Sequence, residues 1–124
     1  MSSLLEYRAA GLYVPKADLY IDPRRYVSRA IITHAHSDHF GRGAKQYLTS
    51  TDSETIMRYR VGSEINIQTL AYSDPITVNG VKISLHPAGH IPGSAQVRLE
   101  CRGQIAVVSG DYNTPNGLRA NTAV

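Results

Sequence analysis

What most limits the fold of this chain is its punctuation: short apolar runs, each cut off within a few residues by Gly, Pro, Asn or Asp. Runs of that length are too brief for helices and fit strands. They predict strands over residues 17–21, 30–33, 46–49, 65–70, 76–78, 81–85, 96–101 and 104–109. Val81, Ile83 and Leu85 alternate with polar neighbours, as do Val97, Leu99 and Cys101, so those strands should bury one face. Ala30-Ile31-Ile32 and Ile105-Ala106-Val107-Val108 are unbroken and should be covered on both. Asn79-Gly80 predicts a tight hairpin and Arg102-Gly103 a weaker one. Thr51-Asp52-Ser53-Glu54 has the capping-box order, with a helical stretch at Ile56 to Arg60 that Gly62 should close. The class is α/β, strand-rich with few helices.

With 124 residues, 42% hydrophobic and 19% charged, the chain suits one small folded domain. No run approaches the ~20 apolar residues that span a bilayer. Met1 to Arg8 carries Glu6 and Arg8 where a secretory peptide would be apolar, and one cysteine, Cys101, excludes an intrachain disulfide. A soluble, cytoplasmic protein without membrane partners is expected. The net charge of +3 comes from ten Arg and three Lys against ten acidic residues. Arginine suits phosphate, but so mild an excess fits a solvated surface as well as a nucleic-acid footprint.

Chemistry concentrates in Thr33-His34-Ala35-His36-Ser37-Asp38-His39-Phe40-Gly41, which holds three of the five histidines. In an extended chain positions 34, 36 and 38 project to one side. Imidazole and carboxylate are ligands for Zn²⁺ and similar ions. Four such groups exceed what one catalytic zinc takes from a single loop, which points to two ions. His86 has no motif role and reads as a surface residue opposite Leu85.

His34-x-His36-x-Asp38-His39 resembles the signature of the metallo-β-lactamase fold superfamily. Ile21-Asp22 upstream resembles its first motif, in which an aspartate supports the metal loop from behind. His90, in Pro87-Ala88-Gly89-His90-Ile91-Pro92-Gly93-Ser94, resembles the third-motif histidine, and Asp111 the metal-bridging aspartate of the fourth. The resemblance implies that His34, His36 and His90 hold one ion, that Asp38 and His39 hold the second, and that Asp111 bridges. Asp38 and Asp111 are the catalytic candidates. Gly11-Leu12-Tyr13, Tyr20-Ile21-Asp22-Pro23, Ala30 to His36, His86 to His90 and Ser94 to Val97 are similar to the nuclease branch: mRNA 3′-end-processing-factor-like proteins and exonucleases associated with ATP-dependent DNA ligases.

That branch implies phosphodiester hydrolysis in nucleic acid by a dinuclear metal-activated hydroxide. DNA stands ahead of RNA as substrate and zinc ahead of manganese as metal, with a role in DNA repair beside a DNA ligase. A thioester or lactone hydrolase of the same superfamily is a rival reading. β-Lactamase activity is disfavoured, because Cys101 alternates with Val97 and Leu99 as a packed strand residue. The superfamily fold is an αββα sandwich of two similar halves, and the motifs here fill the N-terminal half. Residues 1–113 are therefore expected to be a partial domain, and 114–124 an irregular tail. No histidine follows His90, so the second metal site is expected to be incomplete and the chain to be a catalytically incomplete, metal-binding fragment.

Overall fold

The computed structural model describes residues 4–23, 25–33, 44–87, 95–109 and 119–123. They form two sheets. The first has six strands in the order of the chain: β1 (Glu6–Arg8), β2 (Gly11–Val14), β3 (Leu19–Ile21), β4 (Val27–Ile31), β5 (Ala44–Ser50) and β6 (Ile67–Leu70). β1 to β3 pair antiparallel and β3 to β6 parallel. The second sheet is antiparallel throughout: β7 (Ile76–Val78), β8 (Val81–Pro87), β9 (Ala95–Cys101), β10 (Gln104–Ser109) and β11 (Arg119–Ala123).

The sheets enclose one core. Leu12, Val14, Leu19, Ile21, Ile31 and Leu48 from the first meet Val81, Ile83, Leu85, Val97, Leu99, Cys101 and Val108 from the second. Burying each large aliphatic side chain contributes about 1.5–3 kcal/mol, so this layer outweighs any polar contact in the fold. The alternation read in β8 and β9 therefore sets which face turns inward. A smaller cluster lies on the outer side of the first sheet, where Val27, Ala30, Ile32 and Tyr47 pack with Met57. Met57 belongs to α1 (Glu54–Arg60), so the unbroken Ala30-Ile31-Ile32 run is covered on both sides, as its pattern predicts.

Three features differ from expectation. Ile105 and Val107 are only half-buried, because among the described residues no helix lies over the second sheet's outer face. The capping box does not close: a 3-10 turn over Thr51–Ser53 precedes α1, with no side-chain cap bond from Ser50 or Ser53. Glu54 instead accepts from Arg58 one turn on, at 3.0 Å. Within the stretch expected to be irregular, residues 119–123 form β11 against β10, held by backbone pairing without any apolar period. The two hairpin turns follow one geometry: Asn79 and Gly80 have φ of 50° and 84°, Arg102 and Gly103 52° and 81°. Positive φ at both central residues is the type I′ turn whose twist matches paired strands.

Candidate metal centre

The C-terminal ends of the parallel strands β3 and β4 lie at one rim of the sandwich. There β3 runs into Asp22, whose backbone sits at φ 48°, a left-handed conformation that Asp tolerates better than most residues. That turn lets its amide donate to the Ile31 carbonyl at 2.9 Å and aims its carboxylate across β4. Oδ1 accepts from the Thr33 amide at 2.9 Å and Oδ2 from the Thr33 hydroxyl at 2.6 Å. Hydrogen bonds to a carboxylate are roughly twice as strong as neutral ones. Thr33 is 1% exposed, so little water competes for them.

Thr33 is held from the other sheet as well: its carbonyl accepts from the Ala95 amide, the first residue of β9, at 2.7 Å. One residue earlier, the Ile32 carbonyl accepts from the buried Thr49 hydroxyl at 3.0 Å. Thr33 is therefore fixed through its amide, hydroxyl and carbonyl, by groups from β3 and β9.

His34, His36, Asp38, His39, His90 and Asp111 lie outside the described residues. The structure does give the points at which their segments leave. The first leaves after Thr33. The segment with His90 leaves from Pro87 and returns at Ala95, which are paired with each other, and the segment with Asp111 leaves from Ser109, which is paired with Gln96. Because Ala95 is bonded to Thr33, all three exits share the rim where Asp22 sits. Among the described residues no group of three His, Cys, Asp or Glu could hold a metal. The donor set in the three segments, four imidazoles and two carboxylates, has the chemistry of a site for zinc or a similar divalent ion.

Two other sequence readings can be placed. His86 lies on the outer face of the second sheet, where Nε2 is 2.8 Å from the Ser84 hydroxyl. Cys101 is buried in the sandwich core. Sequence reasoning singled out Asp22 but not Thr33, Thr49 or the Ala95 amide. The available signal was a β-branched hydroxyl residue closing an apolar strand immediately before the histidine run.

The sequence matches no family profile. It is 35% identical over 113 residues to a protein described as a probable DNA ligase from Opitutus terrae, covering 89% of this chain and 11% of that protein. It is 23% identical over 111 residues to RNase aCSPSF2 of Saccharolobus solfataricus, covering 67% of this chain and 22% of the relative. To the endoribonuclease YSH1 of Saccharomyces cerevisiae it is 33% identical over 63 residues, or 51% of this chain and 8% of that one. The chain thus spans a minor part of each relative's length. Its fold is similar to that of the flavodiiron protein from Giardia intestinalis, with a TM-score of 0.55 and 12% identity over 71% of this chain and 29% of that one.

Proposed function

The chain belongs to the metallo-β-lactamase fold superfamily, homologous to its nuclease branch, and on that premise we propose that it takes part in metal-dependent hydrolysis of phosphodiester bonds in nucleic acid. The observation that carries this reading is the hydrogen-bonded joint Asp22–Thr33–Ala95, which brings the exits of the three motif-bearing segments to one rim. In this proposal His34, His36 and His90 hold one divalent ion, Asp38 and His39 a second, and Asp111 lies between. When bound, such ions polarise the phosphoryl oxygens and make hydroxide available near neutral pH.

The chain's own groups have distinct parts. Asp38, besides holding the second ion, would orient the attacking water. Asp111 fixes the spacing of the two halves of the site. Asp22 keeps Thr33, and so the start of the histidine run, in one place, as groups behind metal ligands commonly do. Zinc stands ahead of manganese in this reading, DNA ahead of RNA, and the setting is cytoplasmic DNA repair in association with an ATP-dependent DNA ligase.

The test is the chain reconstituted with zinc or manganese and offered end-labelled single-stranded DNA, the matching RNA and a thioester. On this first reading nucleic acid is cleaved, and cleavage is lost in His36→Ala and Asp38→Asn; cleavage of the thioester alone refutes the proposal. The chain covers 11% and 22% of the first two relatives, and that favours a second reading: these residues bind metal but turn over only with further protein. Competition with a chromophoric chelator separates the two. One tightly held ion without cleavage supports the second reading, and two ions with turnover support the first.

A further inference from the structure

A groove of about 460 Å³ crosses the outer side of the first sheet, between the turn joining β1 to β2 and the connection from β3 to β4. Its floor includes Tyr20 and Val27, both part of the outer-face apolar cluster, and its walls carry Arg8, Arg25, Arg29 and Tyr26. Three arginines face a single carboxylate in the lining, that of Asp18, and that carboxylate already accepts from the Tyr13 hydroxyl at 2.6 Å.

Two of the arginines are held in place. The Arg29 guanidinium donates to the backbone carbonyls of Ala17 and Asp18. Both acceptors are neutral, so its charge is not cancelled and most of its donors stay available. The Arg8 guanidinium lies 4.0 Å above the centre of the Tyr13 ring, which in turn lies 4.6 Å from Tyr20, and it is paired with Glu6. Arg25 is exposed and has no hydrogen-bonding or ionic partner among the described residues. Tyr26 is 66% exposed, where its ring would otherwise be expected to turn into the adjacent apolar cluster. A held guanidinium and an exposed one beside an uncovered aromatic face are what single-stranded nucleic acid requires: cations for the phosphates and a ring on which a base can stack.

We infer that this groove binds a single strand of nucleic acid, with Arg25 and Arg29 on the phosphates and Tyr26 stacked on a base. The identity of the occupant rests on the nuclease reading; the surface itself does not. A duplex fits less well, because its bases are already stacked and would leave Tyr26 without a partner. The groove involves none of the candidate metal-binding residues, so it would retain substrate without entering the reaction.

The test is fluorescence anisotropy of the full 124-residue chain with labelled oligothymidylate and oligouridylate, in EDTA so that no cleavage occurs. Wild-type binding should weaken as salt rises, and Arg25→Ala should reduce the slope of log affinity against log salt by about 0.7, the value for one phosphate contact on a single strand. Tyr26→Ala should weaken binding by at least about fivefold, while Tyr26→Phe, which keeps the ring, should bind as wild type does. The preferred oligonucleotide identifies the sugar. Absence of wild-type binding, or equal binding by wild type, Arg25→Ala and Tyr26→Ala, overturns the inference. If the wild type cleaves with metal while the groove variants bind unchanged, the groove is refuted and the nuclease reading stands. Weakened binding by the variants without cleavage by the wild type supports the groove and counts against turnover by this chain alone.

Discussion

The two sheets use their residues differently. In the first, neighbours along a strand are buried on opposite sides: Ile31 points into the sandwich core and Ile32 into the cluster under α1. In the second, Leu99 is fully buried while the flanking Arg98 and Glu100 stay on the outer side and pair with each other at 3.0 Å. The first sheet is thus a central layer and the second a wall. A strand covered on both sides ends in a rigid, desolvated position. That is where Thr33 sits, immediately before the histidine run.

The sharpest way to break this comparison is by truncation. Ile31→Ala and Ile32→Ala should each cost about 2–5 kcal/mol in urea unfolding, as should Leu99→Ala. Arg98→Ala should cost no more than about 1 kcal/mol, because its ion pair is partly solvated. If Ile32→Ala proves as mild as Arg98→Ala, the first sheet has no second buried face.

A smaller effect is expected at the rim. Thr33→Val removes the hydroxyl that donates to the half-buried Asp22 carboxylate and should destabilise by about 1–3 kcal/mol. Asp22→Asn should be milder than Asp22→Ala, since Asn also accepts the left-handed backbone and keeps an acceptor for the Thr33 amide. Equal losses for the two Asp22 variants would show that the carboxylate's bonds, and not the backbone, set the cost.

The hairpin turns of the second sheet offer an effect near 1 kcal/mol. Gly80→Ala should destabilise by about that amount through backbone conformation alone, because a Cβ there meets no atom within 4 Å. Arg102→Asn should stabilise by about 0.5–1 kcal/mol, placing a residue suited to positive φ where Arg now stands. Thermal melts of both variants suffice.

The least effect concerns pH. The bond from the Tyr13 hydroxyl to Asp18, with burial adding to it, pushes the Tyr13 phenol above its ordinary value. The native state then holds that proton more tightly than the unfolded chain does. The resulting stability is complete below about pH 10 and is lost as pH rises through the higher native value. Tyr13→Phe should flatten this alkaline decline, followed by circular dichroism, and remove one late step from the tyrosinate absorbance titration.

How much of this was legible in the sequence follows from how local each signal is. β7 and β10 match the predicted bounds because hairpin turns and alternating neighbours define them. β1 and β11 left no trace: Glu6-Tyr7-Arg8 and Arg119-Ala120-Asn121-Thr122-Ala123 are edge strands without an apolar period, placed by backbone pairing. β2 is buried throughout but only four residues long and begins with a glycine. At the candidate centre, the histidine run and Asp22 could be read directly, whereas the Ala95 amide could not. Its partner at Thr33 is remote in sequence and is reached only through sheet docking. The groove is invisible in one dimension for the same reason, since Arg8, Arg25 and Arg29 converge only when the β3–β4 connection crosses the sheet.

The bond from Ala95 to Thr33 also bears on timing. Residue 33 follows a strand of the first sheet and residue 95 begins one of the second, and closing so long a loop is entropically unfavourable until other contacts between the sheets repay it. Local events such as the Asn79-Gly80 hairpin precede contacts of that range. The rim is therefore among the last parts of the chain to be assembled. On the proposed reading, an ion offered to the nascent chain would meet its donors scattered along the sequence, on segments whose exits reach one rim only once the sandwich has closed.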